Sequence, residues 1–151
     1  MASKNQKIYL DVCTLCRPFD DQKMMRIRLE TDAFYLIMHA VQNGRYQLTM
    51  SPVHIEEIEA NSNFRERLQV HFLLERFGSR AECDPERARS RARALHELGF
   101  GVADAAHVAF AEATSDAFIT CDDKLLKRCR KTDLDLGTMN PVEFAMKEDL
   151  K

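Results

Sequence analysis

Apolar positions along this chain switch between two spacings. Residues 7–10 (KIYL) form a short apolar run that ends at Asp11, the mark of a buried strand. Residues 20–44 take up helical spacing, with Met24, Ile27, Phe34, Ile37, Met38 and Val41 along one stripe and Gly44 as the stop. Residues 46–50 read as a second strand. Ser51 and Pro52 then open a helix, Ser as its cap and Pro in its first position. Residues 64–77 predict another helix, closed by Gly78, and Pro85 opens one that ends near Gly99. Residues 101–113 are Ala-rich and apolar almost all round, as in a helix buried on most sides. Residues 116–121 (DAFITC) predict a strand, 122–131 a short helix or loop, and 134–136 a weak final strand. Pro141 begins the closing helix.

Strands separated by helices predict an α/β fold, a three-layer α/β/α arrangement with a mostly parallel central sheet of four to five strands. Right-handed crossovers then bring the strand C-termini to one edge, where ligands bind in open sheets of this kind. The chain carries no internal repeat, low-complexity tract or linker, so one domain over residues 1–151 is expected, with residues 1–6 as a polar lead-in.

The 151 residues are enough for one domain with a real core. With 45% hydrophobic and 30% charged residues, the composition is that of a soluble globular chain, not a disordered one. The apolar runs are far too short to span a membrane. No basic stretch followed by an apolar one opens the chain, so a cytoplasmic protein is expected. Five cysteines, an odd number, fit reduced thiols better than a disulfide framework. A formal charge of -2 excludes a uniformly basic nucleic-acid coat, leaving a local patch or metal ions to meet phosphate.

Four acids fall at or just beyond the ligand-binding edge. Asp11 ends the first strand, Glu57 lies in the helix after the second, Asp104 begins the Ala-rich helix, and Asp122 follows the strand ending at Cys121. Each has an ordinary alternative. Asp11 suits a strand-end turn, Glu57 and Glu56 suit the positive end of their helix, and Asp122 suits an N-cap. Asp104 also suits a helix N-terminus, although an apolar helix rarely carries a charge without a partner. Taken together, converging carboxylates repel one another, and a hard divalent cation such as Mg²⁺ removes that penalty. One or two such ions support phosphodiester hydrolysis.

At these segments the chain resembles the PIN-domain family. A strand ending in aspartate appears as IYLDVCTL, a serine six residues before a glutamate as SPVHIEEI, a small-residue helix opening with aspartate as GVADAAHVAFAEA, and a strand leading to Thr-x-Asp as AFITCDDKLL. The resemblance covers nearly the whole chain and matches only loosely over residues 61–101. It implies a metal-dependent ribonuclease using Mg²⁺ or Mn²⁺, with Asp11, Glu57, Asp104 and Asp122 as metal ligands and Thr120, beside the last acid, supporting the site by hydrogen bonding. It also implies homodimerisation and an antitoxin protein as partner in a VapBC-type pair; single-stranded RNA is the expected substrate, because a recessed acidic site suits a flexible strand better than a duplex. Glu56 and Asp123 leave the register open by one residue at two of the four positions. A second reading is a PIN-fold module with weak or lost chemistry that works through dimerisation or a protein partner. A haloacid-dehalogenase-like phosphatase would resemble Asp-x-Asp after the first strand, and here the second position is Cys13.

Other signals are weaker. Cys13 and Cys16 form a CxxC without the second close pair that zinc wants, so small buried hydrophobes are the expected role. Lys124, Lys127, Arg128, Arg130 and Lys131 suit either a solvated helix face or a phosphate clamp beside the acids. Arg87, Arg89, Arg91 and Arg93 alternate and so splay around a helix. His107 shares a helix face with Asp104 three residues earlier, placing it to bond a ligand carboxylate or to sit as a satisfied buried histidine. His54 carries the same two readings.

Overall fold

A computed structural model describes residues 6–151; of the polar lead-in, residues 1–5 lie outside the described residues. β1 (Gln6–Leu10) runs into α1 (Val12–Leu15) and a single 3-10 turn, Arg17–Phe19. Then come α2 (Met25–Gln42), β2 (Tyr46–Met50), α3 (Pro52–Ala60), α4 (Phe64–Phe77), β3 (Gly78–Arg80) and α5 (Pro85–Glu97). The chain closes with α6 (Val102–Thr114), β4 (Ala117–Ile119), α7 (Asp123–Arg130), β5 (Gly137–Met139) and α8 (Pro141–Lys147). The five strands lie in the order β3-β2-β1-β4-β5, every neighbouring pair parallel. This is the expected three-layer α/β/α architecture, with β1 at the centre.

Side chains from the central strands alternate between two cores, as the strand period of two requires. Ile8, Leu10, Ala117 and Ile119 enter one core with Phe34, Ile37 and Val41 of α2, Leu74 of α4 and Phe144 of α8. Tyr9 and Phe118 enter the other, against Leu95 of α5, Ala105, Val108 and Ala109 of α6, and Leu125 and Cys129 of α7. The α6 stripe is less complete than its sequence predicts, because Val102 at the helix start is 73% exposed.

Local chemistry accounts for several boundaries. α2 ends in a Schellman arrangement: Gly44, with φ of 79°, donates to the Val41 carbonyl, and Arg45 donates to that of Ala40. Ser51 caps α3 with Pro52 in the first turn. Three expectations needed correction. Residues 12–15 turn as a separate helix capped by Asp11, and the long helix begins only at Met25. β3 is an extra strand, a polar Gly-Ser-Arg paired to β2. The last strand lies at Gly137–Met139, not 134–136; Leu134 and Leu136 are apolar because they pack against the second core from a loop.

The connections β1 to β2 to β3 move outward on one side of β1, and β4 and β5 lie on the other. The chain therefore reverses direction beside β1, and the C-terminal ends of β1 and β4 flank the crevice where doubly wound sheets place ligands. No helix among the described residues is long and apolar enough to cross a membrane.

Candidate functional site

Asp11 follows β1 at this crevice and is almost fully buried. Its Oδ1 accepts from the Thr14 amide at 3.2 Å, the Thr14 hydroxyl at 2.6 Å and the Cys13 thiol at 3.2 Å. Its Oδ2 accepts from the Thr120 hydroxyl at 2.6 Å. Burying a carboxylate is tolerable only with such a complement of donors. Both hydroxyls bridge the crevice, because Thr120 accepts from the Asp122 amide at 3.0 Å and Thr14 from the Cys121 amide at 3.1 Å. Thr120 thus joins the ends of β1 and β4 directly, whereas Thr14 went unnoticed in the sequence. Its signal was the three-residue spacing from Asp11, the spacing of an N-cap to its bonded amide.

Asp122 caps α7, its Oδ1 accepting from the Lys124 and Leu125 amides at 3.0 and 3.2 Å. The capping role expected of it is therefore real, and its charge still reaches Asp104. Burial raises the Asp104 carboxyl above the ordinary carboxylate range, and the charges of Asp122 and Asp11 add to the rise. His107 offsets part of it, and Glu57 contributes last on the raising side. All four predicted acids therefore share one electrostatic environment. No Lys or Arg pairs with Asp11, Asp104 or Asp122 among the described residues.

The register at the two doubled acids separates in the structure. Asp123 turns away and is gripped by both terminal nitrogens of Arg26 at 2.6 Å, which lowers its carboxyl pKa. Arg26 also reaches the nearly buried Glu30, which Arg17 meets at 3.0 Å. Glu56 is exposed, while Glu57 meets His107, its Oε1 lying 2.7 Å from Nε2.

Behind Glu57 lies a set of fully buried polar side chains. His107 Nδ1 is 2.6 Å from the Tyr9 hydroxyl, which is 2.6 Å from the Ser51 hydroxyl. The Ser51 amide donates to His54 Nδ1 at 2.9 Å, and His54 Nε2 donates to the Leu10 carbonyl at 2.7 Å. Burial, with His107 nearby, pushes the His54 pKa down to about 3. Tyr9 carried no functional signal in the sequence beyond its place in an apolar strand.

The five cysteines are free. The burial expected of Cys13 and Cys16 is not met: Cys16 is half-buried and residue Cys13 is exposed, with its thiol turned inward to Asp11, whereas Cys121 and Cys129 are buried. Burial around that sulfur, reinforced by the Asp11 charge, holds its pKa far above the ordinary thiol range. Of the basic residues on α7, Arg130 is tied to Glu143 at 2.8 Å and Arg128 lies over the Phe100 ring. On α5, Arg89 pairs with Glu86 and Arg91 with Glu112, as a splayed set would.

A divalent ion can be tested against this donor set. The available groups are carboxylate oxygens, which suit Mg²⁺ or Mn²⁺ and not a soft metal. Among the described residues, no three His, Cys, Asp or Glu side chains close into a ready-made cage. Mg²⁺ needs none, because it is usually held by one or two carboxylates with water completing its shell. Mutually repelling acids without a cationic side chain fit such an ion.

No protein-family model and no curated protein matches this chain. Among solved structures, FitAcB from Neisseria gonorrhoeae is similar over 89% of this chain and 97% of that one, with a TM-score of 0.53 and 17% identity. FitAB bound to an IR36 DNA fragment is similar over 89% and 95%, with a TM-score of 0.49 and 17% identity. At such identity the likeness to FitAcB is one of fold.

Proposed function

We propose that this protein is a metal-dependent endoribonuclease that hydrolyses phosphodiester bonds of single-stranded RNA. The observation that carries the reading is the gathering of Asp104 with Asp122, Asp11 and Glu57 about the sheet's switch point, with no Lys or Arg paired to the three aspartates among the described residues. Such mutual repulsion is costly unless a cation relieves it. The fold likeness and the PIN-like motifs point the same way.

In this proposal Asp11, Asp104 and Asp122 hold Mg²⁺ or Mn²⁺, and Glu57 completes the set. The ion, when bound, supplies the Lewis acidity that phosphodiester hydrolysis requires. The chain's own residues do the positioning. Thr120 and Thr14 fix the Asp11 carboxylate from both sides, and the α7 amides fix one oxygen of Asp122. Lys124 and Lys127, on the helix that Asp122 opens, are available to RNA phosphates. A protein antitoxin and a second copy of the chain are the proposed partners. The exposed stripe of Phe64, Leu68 and Phe72 on α4 offers apolar surface to either.

The test is cleavage of a fluorescent single-stranded RNA with Mn²⁺, Mg²⁺ or chelator. Metal-dependent cutting is expected, and Asp104→Asn is expected to lower it by about 100-fold or more, the scale of losing one electrostatic group from a catalytic centre. Equal cutting by the Asn variant would show that the acids are not the catalytic centre.

A further inference from the structure

We propose that His107 and Tyr9 are positioning residues for Glu57, setting its carboxylate for a divalent cation through a buried hydrogen-bond chain anchored beside Asp11. The inference rests on the metal-dependent reading and adds residues that no acidic motif contains.

The Leu10 end fixes the His54 tautomer, and a neutral His107 that donates to Glu57 gives the other limb one consistent set of directions. The Leu10 carbonyl only accepts, so His54 carries its proton on Nε2. His54 Nδ1 accepts from the Ser51 amide, which leaves that nitrogen bare. The Ser51 hydroxyl is farther from Nδ1, at 3.3 Å, than from the Tyr9 oxygen, at 2.6 Å, and in this set it is the donor to Tyr9. Tyr9 then donates to His107 Nδ1, and His107 Nε2–H donates to Glu57. Every donor finds an acceptor: from Ser51 one limb runs through His54 to the Leu10 carbonyl, and the other through Tyr9 and His107 to the Glu57 carboxylate.

Its burial makes this arrangement specific. Tyr9 and His54 are 0% exposed, His107 1% and Ser51 2%. Tyr9 packs among Phe, Leu, Val and Ala, and apolar groups of matching shape would be nearly as stable there as paired polar ones. The chain has a single outlet, the Glu57 side chain, which is 34% exposed. At its other end it is bonded to the carbonyl of Leu10, the residue before Asp11. It therefore adds a polar tie between the segments that carry the two acids, beside the β1–β2 pairing and the packing of Ile58 in the core with Ile8 and Leu10. Groups that hydrogen-bond a ligating carboxylate commonly govern metal affinity by 10- to 100-fold, on the order of magnitude seen across metal sites.

The experiment measures Mn²⁺ affinity by calorimetry and by the free-Mn²⁺ electron paramagnetic resonance signal, with folding checked by circular dichroism. His107→Leu is expected to weaken binding by about 10-fold or more. His107→Gln, which retains an N–H within reach of Glu57, is expected to recover most of that loss. Tyr9→Phe keeps the ring, removes only the hydroxyl, and is expected to give a smaller loss. In a Glu57→Gln background, His107→Leu is expected to add nothing, because it acts through Glu57. Wild-type affinity in folded His107→Leu, or losses that add across the cycle, would overturn the positioning role while leaving the metal site standing. Should His107→Leu not fold, wild-type affinity in Tyr9→Phe overturns it equally. A wild-type protein that binds no Mn²⁺ overturns the metal reading and this inference together.

Discussion

Acidification should destabilise this protein through His54. Its ring is 0% exposed, stacked on Tyr9 with centroids 4.5 Å apart, and 5.1 Å from the ring of His107. Protonation would place a second N–H against the Ser51 amide that Nδ1 now accepts. Burial above all, then the neighbouring His107, lowers the pKa from 6.5 to about 3, against a small opposing effect of the Leu10 carbonyl. Below pH 6.5 the unfolded chain therefore takes up a proton that the folded chain refuses. Stability is lost progressively as pH falls from 6.5 towards about 3. At about pH 5 the gap of roughly 1.5 pH units from the unfolded value corresponds to about 2 kcal/mol, at about 1.36 kcal/mol per unit. The folded value lies below that pH and hardly enters the figure. Urea unfolding followed by circular dichroism at stepped pH, on wild type and His54→Gln, isolates the effect. Gln keeps a donor for Leu10 and does not titrate. Asp104 acts oppositely, its raised pKa favouring the folded state at low pH, but it does so in both proteins and cancels in the difference. Between about pH 7.5 and 5 the wild type should lose about 2 kcal/mol more than the variant. Parallel curves would refute the argument.

Two further substitutions probe the site's register and the sheet's edge. Asp122→Asn should abolish metal-dependent RNA cleavage, whereas Asp123→Asn should preserve it and change stability by no more than about 1 kcal/mol, because the pair with Arg26 is solvent-exposed; cleavage assays and urea melts on both variants decide. Gly78→Ala would drive a Cβ into the Leu74 carbonyl oxygen where α4 turns into β3. A loss of about 1–3 kcal/mol in urea unfolding is expected, and an unchanged midpoint would show that this junction relaxes freely.

The strands and helices that build both cores were legible because burial imposes a period. KIYL, DAFITC and the α2 stripe each carry enough apolar positions to declare their element. β3 was not legible: Gly-Ser-Arg has no apolar pattern, and only its pairing to β2 makes it a strand. Leu134 and Leu136 misled for the converse reason, being apolar through loop packing. The four acids were visible as residues at the ends of patterned elements, but sequence could not say which member of each doubled pair faces inward. That choice depends on partners far along the chain, Arg26 for Asp123 and His107 for Glu57. The sequence by itself thus determined the layers and the edge where chemistry is expected, since periodic burial is a local property. Only the tertiary structure decided the Thr14 and Thr120 clasp on Asp11 and the chain from Leu10 to Glu57. Hydrogen bonds among residues up to 109 positions apart leave no periodic trace in sequence.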